Sequence, residues 1–545
     1  MFLAQHIPAP TTRGAGPAAL PHVAGSQPVG CPRRRHWDAP ETGRHTGHVQ
    51  RAPAAWPGIL LSAQRPGTIL CEAGEAAPGG GGDRVTTMGR PRRDAAMLLA
   101  AALVASSLLA VGAPAVSFAS GAPGFPRVPL SGASDSRRMP LPGRPGAAAL
   151  LLPGAPGARR VPMPGTASQL EAVSCTTSGN CWAVGTYSHN GAGLNQAMHW
   201  NGSTWSQVTV PSPGGTASGD ISELFGVHCK VSADCWAVGY YESGGPDLNE
   251  ALHWNGTKWS VVTTPAPGGT TSSSVNELFD VWCTGASNCW AAGEDGAFSG
   301  PNETLFTQAL HWNGTKWSVA STPSPGGTGA NDVSVLDSVR CTSVSNCWAV
   351  GIYGTIGPIA LLNEALHWNG TKWSLVTTPS PGGTATNDFS YLVGLSCASA
   401  TNCWAAGAYG TEGTPLTSLN QVLHWDGTQW SQATTPNPDG TGTGASNLLA
   451  SVACTSASNC WAVGDYGSIS DGVGTVLNEA LSWNGTSWSL AATPDPAGTG
   501  NGVTNMLNGV RCASASNCWA VGTQIPGQFD LNEALLWNGS KWAAK

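Results

Sequence analysis

Paired cysteines at a constant spacing are the most regular reactive groups in this sequence. In each of seven pairs the cysteines lie six positions apart, and the second cysteine is followed by Trp-Ala-Val-Gly or Trp-Ala-Ala-Gly. The pairs are Cys175/Cys181, Cys229/Cys235, Cys283/Cys289, Cys341/Cys347, Cys397/Cys403, Cys454/Cys460 and Cys512/Cys518. Thiols at this spacing could bind a metal or form a disulfide, but one pair lacks the further ligands that a tetrahedral zinc site needs. We therefore predict seven disulfides, and no metal or other cofactor.

Tyrosine and asparagine recur shortly after each cysteine pair and could bind a ligand. The tyrosines, two positions after the glycine, are Tyr187, Tyr241, Tyr353, Tyr409 and Tyr466, with Asp295 and Gln524 at that position in the other two copies. The asparagines are Asn195, Asn249, Asn363, Asn420, Asn478 and Asn532. Such side chains could bind a sugar or a peptide by stacking and hydrogen bonding. They could equally serve only to fasten loops, and the sequence leaves both alternatives open.

Tryptophan and histidine recur as well. Three tryptophans per copy could stack on sugars, but their presence in every copy favours a core between neighbouring sheets. The histidines are His199, His253, His311, His367 and His424, with Ser482 and Leu536 at that position in the other copies. We expect them to be structural, because the strand that carries them is not the innermost one and their ring would be too wide for one metal ion.

These residues belong to a unit that repeats seven times between residues 165 and 545, with successive copies starting 54 to 58 residues apart. In the second copy, the segments 224–229, 235–239, 251–254 and 258–262 predict four strands, which we call A to D. An Asn-Gly pair between C and D predicts a two-residue turn with positive φ at both positions. The cysteines should flank a five-residue loop between A and B. Four short strands repeated seven times predict an all-β fold, a seven-bladed β-propeller of four-stranded antiparallel blades with one disulfide per blade.

Two features of the array predict a closed ring. The last copy lacks the TPSPGGT segment that usually follows strand D, and residues 161–166 supply a similar segment before the first copy. The outer copies are also ordinary in sequence, whereas an open solenoid needs atypical capping repeats.

The residues before the repeats predict export. Residues 88–119 have the order of a secretory signal peptide, with Arg90, Arg92 and Arg93 before an uncharged stretch and small residues near Ala119. Residues 1–87 would then lie before the true start at Met88 or form an unusual leader, and residues 120–164 would be a Pro/Gly-rich linker. The alternative is a hydrophobic segment retained as a membrane anchor. We expect cleavage, a secreted product without a membrane span, and a monomer.

The motifs resemble those of known propellers. The segment W-N-G-T-x-W loosely resembles the Asp-box (BNR) repeat of sialidase-like propellers, although the Asn lies four residues before the Trp instead of five, and the repeats are loosely kelch-like. The whole array more closely resembles secreted repeat proteins of high-GC bacteria that carry C-x5-C-W-A-V-G and W-N-G-T-x-W. This resemblance implies the fold and carries no agreed activity.

Charge and missing motifs narrow the possible functions. Residues 165–545 contain 8 Lys and Arg against 25 Asp and Glu, which disfavours binding to nucleic acid. Sialidases, by resemblance, hold a carboxylate with three arginines, whereas only Arg340 and Arg511 occur here. Every cysteine of the repeats has a partner, so a copper site with a free Cys beside Tyr is excluded, and no catalytic motif breaks the repeat symmetry.

In a propeller, the A–B and C–D connections lie on one face, and the B–C and D–A connections lie on the other. The first set is nearly invariant in this sequence, and the second set varies in length and composition. We therefore predict a secreted, non-catalytic binding or adhesion module that recognises a glycan, a peptide or a cell-wall component on the variable face. The alternative is an extracellular carbohydrate-active hydrolase or lyase that uses carboxylates on the same face.

Overall fold

A computed structural model describes residues 167–300, 302–470, 473–527 and 529–545. The predictions for the leader 1–87, the signal peptide 88–119, the linker 120–164 and the segment 161–166 lie outside these residues. In the part of the chain that is described, no helix is long and apolar enough to cross a membrane.

Each sequence repeat forms the four predicted strands. The first three repeats form β1 (Ala167–Thr177), β2 (Asn180–His189), β3 (Ala192–Trp200) and β4 (Trp205–Gln207); β5 (Ile221–Val231), β6 (Asp234–Glu242), β7 (Leu248–Trp254) and β8 (Trp259–Val261); and β9 (Ser274–Gly285), β10 (Asn288–Ser299), β11 (Asn302–Trp312) and β12 (Trp317–Ala320). The next two form β13 (Asp332–Ser343), β14 (Asn346–Ile356), β15 (Ile359–Trp368) and β16 (Trp373–Leu375); and β17 (Asp388–Ser399), β18 (Asn402–Thr411), β19 (Thr417–Trp425) and β20 (Trp430–Ala433). The last two form β21 (Asn447–Ser456), β22 (Asn459–Tyr466), the short β23 (Ile469–Ser470), β24 (Val473–Trp483) and β25 (Trp488–Leu490); and β26 (Val503–Ser514), β27 (Asn517–Ile525), β28 (Leu531–Trp537) and β29 (Trp542–Ala544).

Within a repeat, strands A, B, C and D pair antiparallel in that order, while the short β23 of the sixth repeat pairs with β24, and the predicted disulfides are confirmed. In the second repeat Cys229 and Cys235 are direct cross-strand partners. The bonded pairs are Cys175–Cys181, Cys229–Cys235, Cys283–Cys289, Cys341–Cys347, Cys397–Cys403, Cys454–Cys460 and Cys512–Cys518. Each repeat therefore carries one disulfide between strands A and B.

The prediction that these cysteines flank a five-residue loop is wrong. Both strands continue past the cysteines, so only a two-residue turn, Ser232 and Ala233, remains between β5 and β6. We call this end of each sheet, which also carries the C–D turn, the cysteine end.

The strand B cysteines accordingly lie in the core and not beside a surface loop. The second cysteine of every pair is at most 1% exposed: Cys181, Cys235, Cys289, Cys347, Cys403, Cys460 and Cys518. Each follows a strand B residue that is only partly buried and precedes the buried strand B tryptophan, so its sulfur packs inward with the apolar residues of the sheet. These cysteines are structural residues, and no ligand can reach them in the folded protein.

The predicted two-residue Asn-Gly turn is also wrong. Trp254 pairs with Trp259, which leaves four residues between strands C and D. Only Gly256 has a positive φ, 91°. The Asn255 Oδ1 atom accepts hydrogen bonds from the backbone N–H groups of Thr257 and Lys258, at 3.0 and 3.1 Å. An asparagine whose side chain satisfies the turn in this way does not need the left-handed backbone of a two-residue turn.

The opposite end of each sheet carries the B–C connection and the start of strand A, and we call it the B–C end. Here the repeats differ, because strands B and C extend to different lengths. In the first repeat they are joined by Asn190-Gly191, with φ of 52° and 80°. This is the kind of two-residue turn that the sequence predicted between strands C and D. In the second repeat the residues 243–247 separate the two strands.

Neighbouring sheets are held together by tryptophan. The strand B tryptophan of one repeat packs against the strand C and strand D tryptophans of the next: Trp182 on Trp254 and Trp259, Trp236 on Trp312 and Trp317, Trp290 on Trp368 and Trp373, Trp348 on Trp425 and Trp430, Trp404 on Trp483 and Trp488, and Trp461 on Trp537 and Trp542. Trp519 of the last repeat packs in the same way on Trp200 and Trp205 of the first, with ring centroids 4.8 and 5.0 Å apart. All seven strand B rings are buried, so the prediction of a tryptophan core is confirmed.

The A strands contact one another in sequence, and β1 contacts both β5 and β26. Two hydrogen bonds also join the first and last repeats, from the Ser168 N–H to the Asp530 carbonyl and from Asn508 Nδ2 to the Leu170 carbonyl, at 3.0 and 3.1 Å. The backbones of neighbouring repeats come very close, since a Cβ added at Gly226 would lie 2.7 Å from the Cα atom of Asp280. Repeated four-stranded antiparallel sheets whose faces pack in this way are the architecture of a β-propeller.

The tryptophan contacts predict equal costs for two matched substitutions. Trp519→Ala should lower the free energy of unfolding by about 3–5 kcal/mol, as expected for removing a buried aromatic side chain. Trp404→Ala, at the equivalent position inside the array, should cost about the same. Denaturant unfolding followed by tryptophan fluorescence and circular dichroism measures both values. A much smaller cost at Trp519 would contradict the packing of the last repeat on the first.

Candidate functional site

The tyrosines predicted to bind a ligand lie on strand B, near the B–C end of their sheets. All five are half-buried, and they form part of the B–C ladder, where Tyr353, for example, pairs with Leu362. Burial raises the pKa of the Tyr353 hydroxyl, and the nearby Glu364 carboxyl raises it further. Tyr241 has the same environment beside Glu250. The Tyr241 and Tyr353 rings therefore expose part of their surface while their hydroxyls remain protonated.

The asparagines predicted to bind a ligand are more deeply buried than the tyrosines. All six are buried, with Asn420 only 1% exposed. In five repeats the Nδ2 atom donates to a proline carbonyl 16 residues later, at 2.5–2.8 Å: Asn195 to Pro211, Asn249 to Pro265, Asn363 to Pro379, Asn420 to Pro436 and Asn478 to Pro494. Of the two alternatives that the sequence left open, this geometry favours the structural one for asparagine. A ligand could reach these amides only by breaking the bonds that fasten the D–A segment.

A buried Glu or Gln side chain follows each of these six asparagines, and Gln308 follows Thr307 at the same position of the third repeat; sequence analysis did not single these residues out. They are Gln196, Glu250, Gln308, Glu364, Gln421, Glu479 and Glu533, each at most 1% exposed. Three accept a hydrogen bond from the asparagine of the preceding repeat: Glu250 from Asn195, Glu479 from Asn420 and Glu533 from Asn478. Burial raises the pKa of all four glutamates well above the usual value. A neutral amide fills the same position in the other three repeats, which fits a protonated acid at this place.

The third repeat departs from the others by concentrating carboxyl groups. Glu294 pairs with Glu277 across the A–B ladder, and both side chains are buried. Burial raises the pKa of Glu294 well above its usual value, and the charge of Glu277 adds to the shift. Three more carboxyl groups contribute to the same shift: Glu303, Asp337 and Asp247. A buried carboxyl group whose pKa is raised in this way is the sort of group that can act as a general acid.

Three aspartates at the B–C end titrate near neutral pH. Burial raises the pKa of Asp295 to about 6 and the pKa values of Asp465 and Asp530 to about 7. Asp295 occupies the tyrosine position of the third repeat, and Asp465 directly precedes Tyr466. The charge of this end therefore becomes more negative between about pH 5 and pH 8.

The recurring histidines occupy structural positions. Each packs against the strand B tryptophan of its own repeat, with ring centroids 4.2–4.7 Å apart. Four also bond to the residue before the second cysteine: His199 to Asn180, His253 to Asp234, His311 to Asn288 and His424 to Asn402. Among the residues that the structure describes, no group of three or more His, Cys, Asp or Glu side chains could hold a metal ion.

Comparisons with known proteins give the fold no established family. No known family matches the chain, and no curated protein matches it. Among solved structures, an ulvan lyase of a polysaccharide lyase family is 9% identical over 70% of this chain and 96% of that chain, with a TM-score of 0.42. The β-propeller domain of the Pyrococcus furiosus trilobed protease is 9% identical over 69% and 97%, with a TM-score of 0.37. The six-bladed fucose-binding lectin of Aleuria aurantia is 13% identical over 58% and 91%, with a TM-score of 0.32. Likenesses this distant assign neither a ligand nor a reaction.

The raised pKa of Asp465 predicts how stability depends on pH. An acid whose pKa is about 7 when folded and about 3.9 when unfolded is destabilising above pH 4, and increasingly so up to about pH 7. Asp465→Asn removes this effect, so at pH 8 the variant should be more stable than wild type by about 2–4 kcal/mol, with the difference vanishing near pH 4. Urea unfolding at several pH values measures it.

Asp426→Asn is the matched control, because its effect should have the opposite sign. Hydrogen bonds from the Thr428 side chain and from the Gln429 and Thr428 backbones lower the pKa of Asp426 to about 2. Its contribution is therefore present above about pH 4 and is lost as the pH falls through 2. A pH-independent difference between wild type and Asp465→Asn would contradict the assignment.

Proposed function

We propose that this protein is a secreted, non-catalytic binding or adhesion module, and that its B–C end recognises an extracellular ligand, a glycan or another cell-wall component. The observation that carries the proposal is the difference between the two ends of the sheets. Closed disulfide hairpins and uniform C–D turns occupy the cysteine end. The B–C end varies from repeat to repeat in strand length, yet keeps a half-buried tyrosine at one position in five repeats. Variable connections on a rigid scaffold are where proteins usually place recognition.

We also propose that the seven repeats form a closed seven-bladed ring. The packing of Trp519 on Trp200 and Trp205 supports closure, because it repeats the junction found between every other pair of neighbours. The contact of β1 with β26 and the Ser168–Asp530 hydrogen bond support it as well. In such a ring all seven B–C ends lie on one face and surround one channel, so the tyrosines of different repeats can meet the same ligand.

The chemistry of the B–C end favours a glycan. Partly exposed tyrosine rings offer flat faces to sugar rings, and hydroxyl and carboxyl groups beside them can hydrogen-bond to sugar hydroxyls. The net negative charge of the repeats disfavours nucleic acid and anionic lipid. Four of the six lysines of the repeats, Lys258, Lys316, Lys372 and Lys541, stand on C–D turns at the cysteine end, away from this surface.

Export is part of the proposal. Seven disulfides are typical of proteins that fold in an oxidising compartment. The signal-like residues 88–119 add support from the sequence, with processing near Ala119.

A second candidate function is a hydrolase or lyase that acts on an extracellular polysaccharide. The specific observation in its favour is the carboxyl cluster of the third repeat, where burial and neighbouring charges raise the pKa of Glu294. Hydrolysis of a glycosidic bond commonly uses a carboxylic acid that stays protonated near neutral pH together with a carboxylate that is ionised.

A glycan array followed by titration calorimetry tests the binding proposal. The double variant Tyr353→Ala/Tyr409→Ala should weaken binding of the selected glycan by about tenfold to a hundredfold, because each aromatic face contributes roughly 1 kcal/mol. Lys258→Ala/Lys316→Ala changes two exposed turns at the cysteine end and should leave the affinity unchanged. Circular dichroism should confirm that both variants remain folded.

The outcomes separate the two candidates. Unchanged affinity in the tyrosine variant, or equal loss in the lysine variant, would contradict recognition at the B–C end. Release of reducing ends or unsaturated products from a polysaccharide, abolished by Glu294→Gln, would establish the enzyme instead.

A further inference from the structure

One position of strand A differs strongly between repeats, directly before the first cysteine. It holds Ser174, His228, Trp282, Arg340, Ser396, Ala453 and Arg511. In several repeats this side chain bonds to the backbone of the next repeat: Ser174 Oγ accepts from the Cys229 N–H at 3.0 Å, His228 Nδ1 from the Cys283 N–H at 3.2 Å, and Ser396 Oγ from the Cys454 N–H at 2.9 Å. Trp282 Nε1 donates to the Cys341 carbonyl at 3.0 Å. These side chains therefore lie between the A strands of neighbouring repeats, at the cysteine end.

Residues from distant repeats meet at Trp282. The guanidinium carbons of Arg340 and Arg511 lie over its indole ring, 4.8 and 4.5 Å from the ring centroid. The imidazole of His228 is 4.1 Å from the same ring. Arg511 belongs to the last repeat and Trp282 to the third, so this contact joins parts of the chain that are not adjacent repeats.

The two arginines differ in how their charge is balanced. Arg340 is paired with Asp280, whose carboxylate also accepts hydrogen bonds from Ser338 Oγ and the Val339 N–H, at 2.7 and 3.0 Å. Arg511 has neither an ion pair nor a hydrogen bond among the described residues, and its guanidinium lies over the Trp282 ring. Burial and the charge of Arg340 lower the pKa of Arg511 to about 9, although the charge of the Asp280 carboxylate raises it in part, so Arg511 stays charged at pH 7.

The surroundings of Arg511 carry further positive charge. Burial lowers the pKa of His228 well below its usual value, and the charges of Arg511, Arg340 and Lys230 lower it further. The neutral imidazole accepts at Nδ1, so its proton is on Nε2, where it can donate. Three cations and one carboxylate thus leave a net positive charge in an otherwise acidic repeat array.

Two cavities of about 570 Å³ each open beside this cluster. Both have Trp282, Cys341 and Arg511 in their walls. Hydroxyl groups supply much of the remaining lining, including Thr176, Thr284 and Ser343 in one cavity and Thr455, Ser456 and Ser514 in the other. This volume lies within the range of small-molecule sites and is too small for a folded domain or a helix.

We propose that the cysteine end contains a second binding site, in which Arg511 holds the carboxylate of an acidic sugar. The guanidinium fork of Arg511 matches a carboxylate in shape and charge, and it has no such partner within the described chain. The ring hydroxyls of a uronic acid match the surrounding threonine and serine hydroxyls and the His228 donor. The site lies at the opposite end of the sheets from the tyrosines and does not depend on the function proposed for them.

A nucleic acid or a long polyanion fits this site less well. Such ligands need an extended track of Lys and Arg, whereas the cations here converge on one recess and the remaining surface is acidic. The single carboxylate that a uronic acid carries on its sugar ring matches the single guanidinium without an ion-pair partner.

Titration calorimetry with D-glucuronate and D-glucose tests the proposal on the secreted protein. Wild type should bind glucuronate saturably and glucose at least tenfold more weakly. Arg511→Gln should weaken glucuronate binding at least tenfold. Lys258→Gln removes the same charge from an exposed C–D turn and should leave binding unchanged. Raising the salt concentration should weaken binding, as expected for a partly exposed ion pair.

Thermal unfolding distinguishes a ligand-binding role of Arg511 from a purely structural role. Glucuronate should raise the Tm of wild type and of Lys258→Gln but not of Arg511→Gln, because a ligand stabilises only the state that binds it. Without ligand, Arg511→Gln should unfold at the same temperature as wild type or higher, since it removes a recessed charge that lacks an ion-pair partner. A lower Tm in Arg511→Gln, with no effect of glucuronate on the Tm of wild type, would overturn the proposal. Equal affinity of wild type for glucose and glucuronate would overturn it too. So would binding of inorganic sulfate by wild type without binding of glucuronate.

Discussion

The insertion of one tryptophan per repeat between two tryptophans of the next is the interaction on which the rest of the structure depends. A four-stranded sheet of this size has two apolar faces and cannot bury both by itself. The strand B indole meets the strand C ring at a tilt and the strand D ring edge-on, as Trp236 does with Trp312 and Trp317. Edge-on and tilted contacts are favourable for aromatic rings beyond the area that they bury. Because the same contact recurs at each junction, every sheet is oriented by its neighbour.

The other features of the scaffold follow from that packing. The buried disulfide Cys229–Cys235 belongs to the same apolar cluster as Trp182 and Trp259, so it fixes the hairpin that presents one wall of the junction. These restraints concentrate near the cysteine end. The B–C end is instead fastened by polar bonds such as the one from Asn249 to the Pro265 carbonyl, which leave the tips of strands B and C able to differ in length. A rigid core with one variable end suits a binding module.

The two ends of the sheets also differ in charge. Buried acids such as Glu364 and Asp465 accumulate toward the B–C end, where burial raises their pKa values and keeps much of the charge neutralised by protons. The two arginines of the described chain, Arg340 and Arg511, converge at the other end on Trp282. The ligand surface proposed at the B–C end, with its tyrosine rings and protonated acids, can therefore coexist with a small cationic recess at the cysteine end.

Much of this could be predicted from the sequence, because it is repeated. The strands, the disulfides and the tryptophan core could be predicted from residues that recur in every copy, such as Cys235 and Trp236. A feature present in every copy must serve the common scaffold. The geometry of single turns could not be predicted, because Asn255 satisfies its turn with a side chain instead of with left-handed backbone. The sites were harder still. Sequence spacing does not reveal that Asn420 points into the protein, or that Arg511 reaches a tryptophan four repeats away.

Amide hydrogen exchange tests the closed ring most directly. If the first and last repeats pack together as the inner repeats do, the amides of β1 and β26 should be protected to the same extent as those of β13. All three strands should also lose protection together as denaturant is added, since opening one junction of a closed ring exposes both of its walls. An open array would instead lose protection first in β1 and β26, at denaturant concentrations where β13 remains protected. That result would contradict the ring and, with it, the single face on which the tyrosines are proposed to meet one ligand.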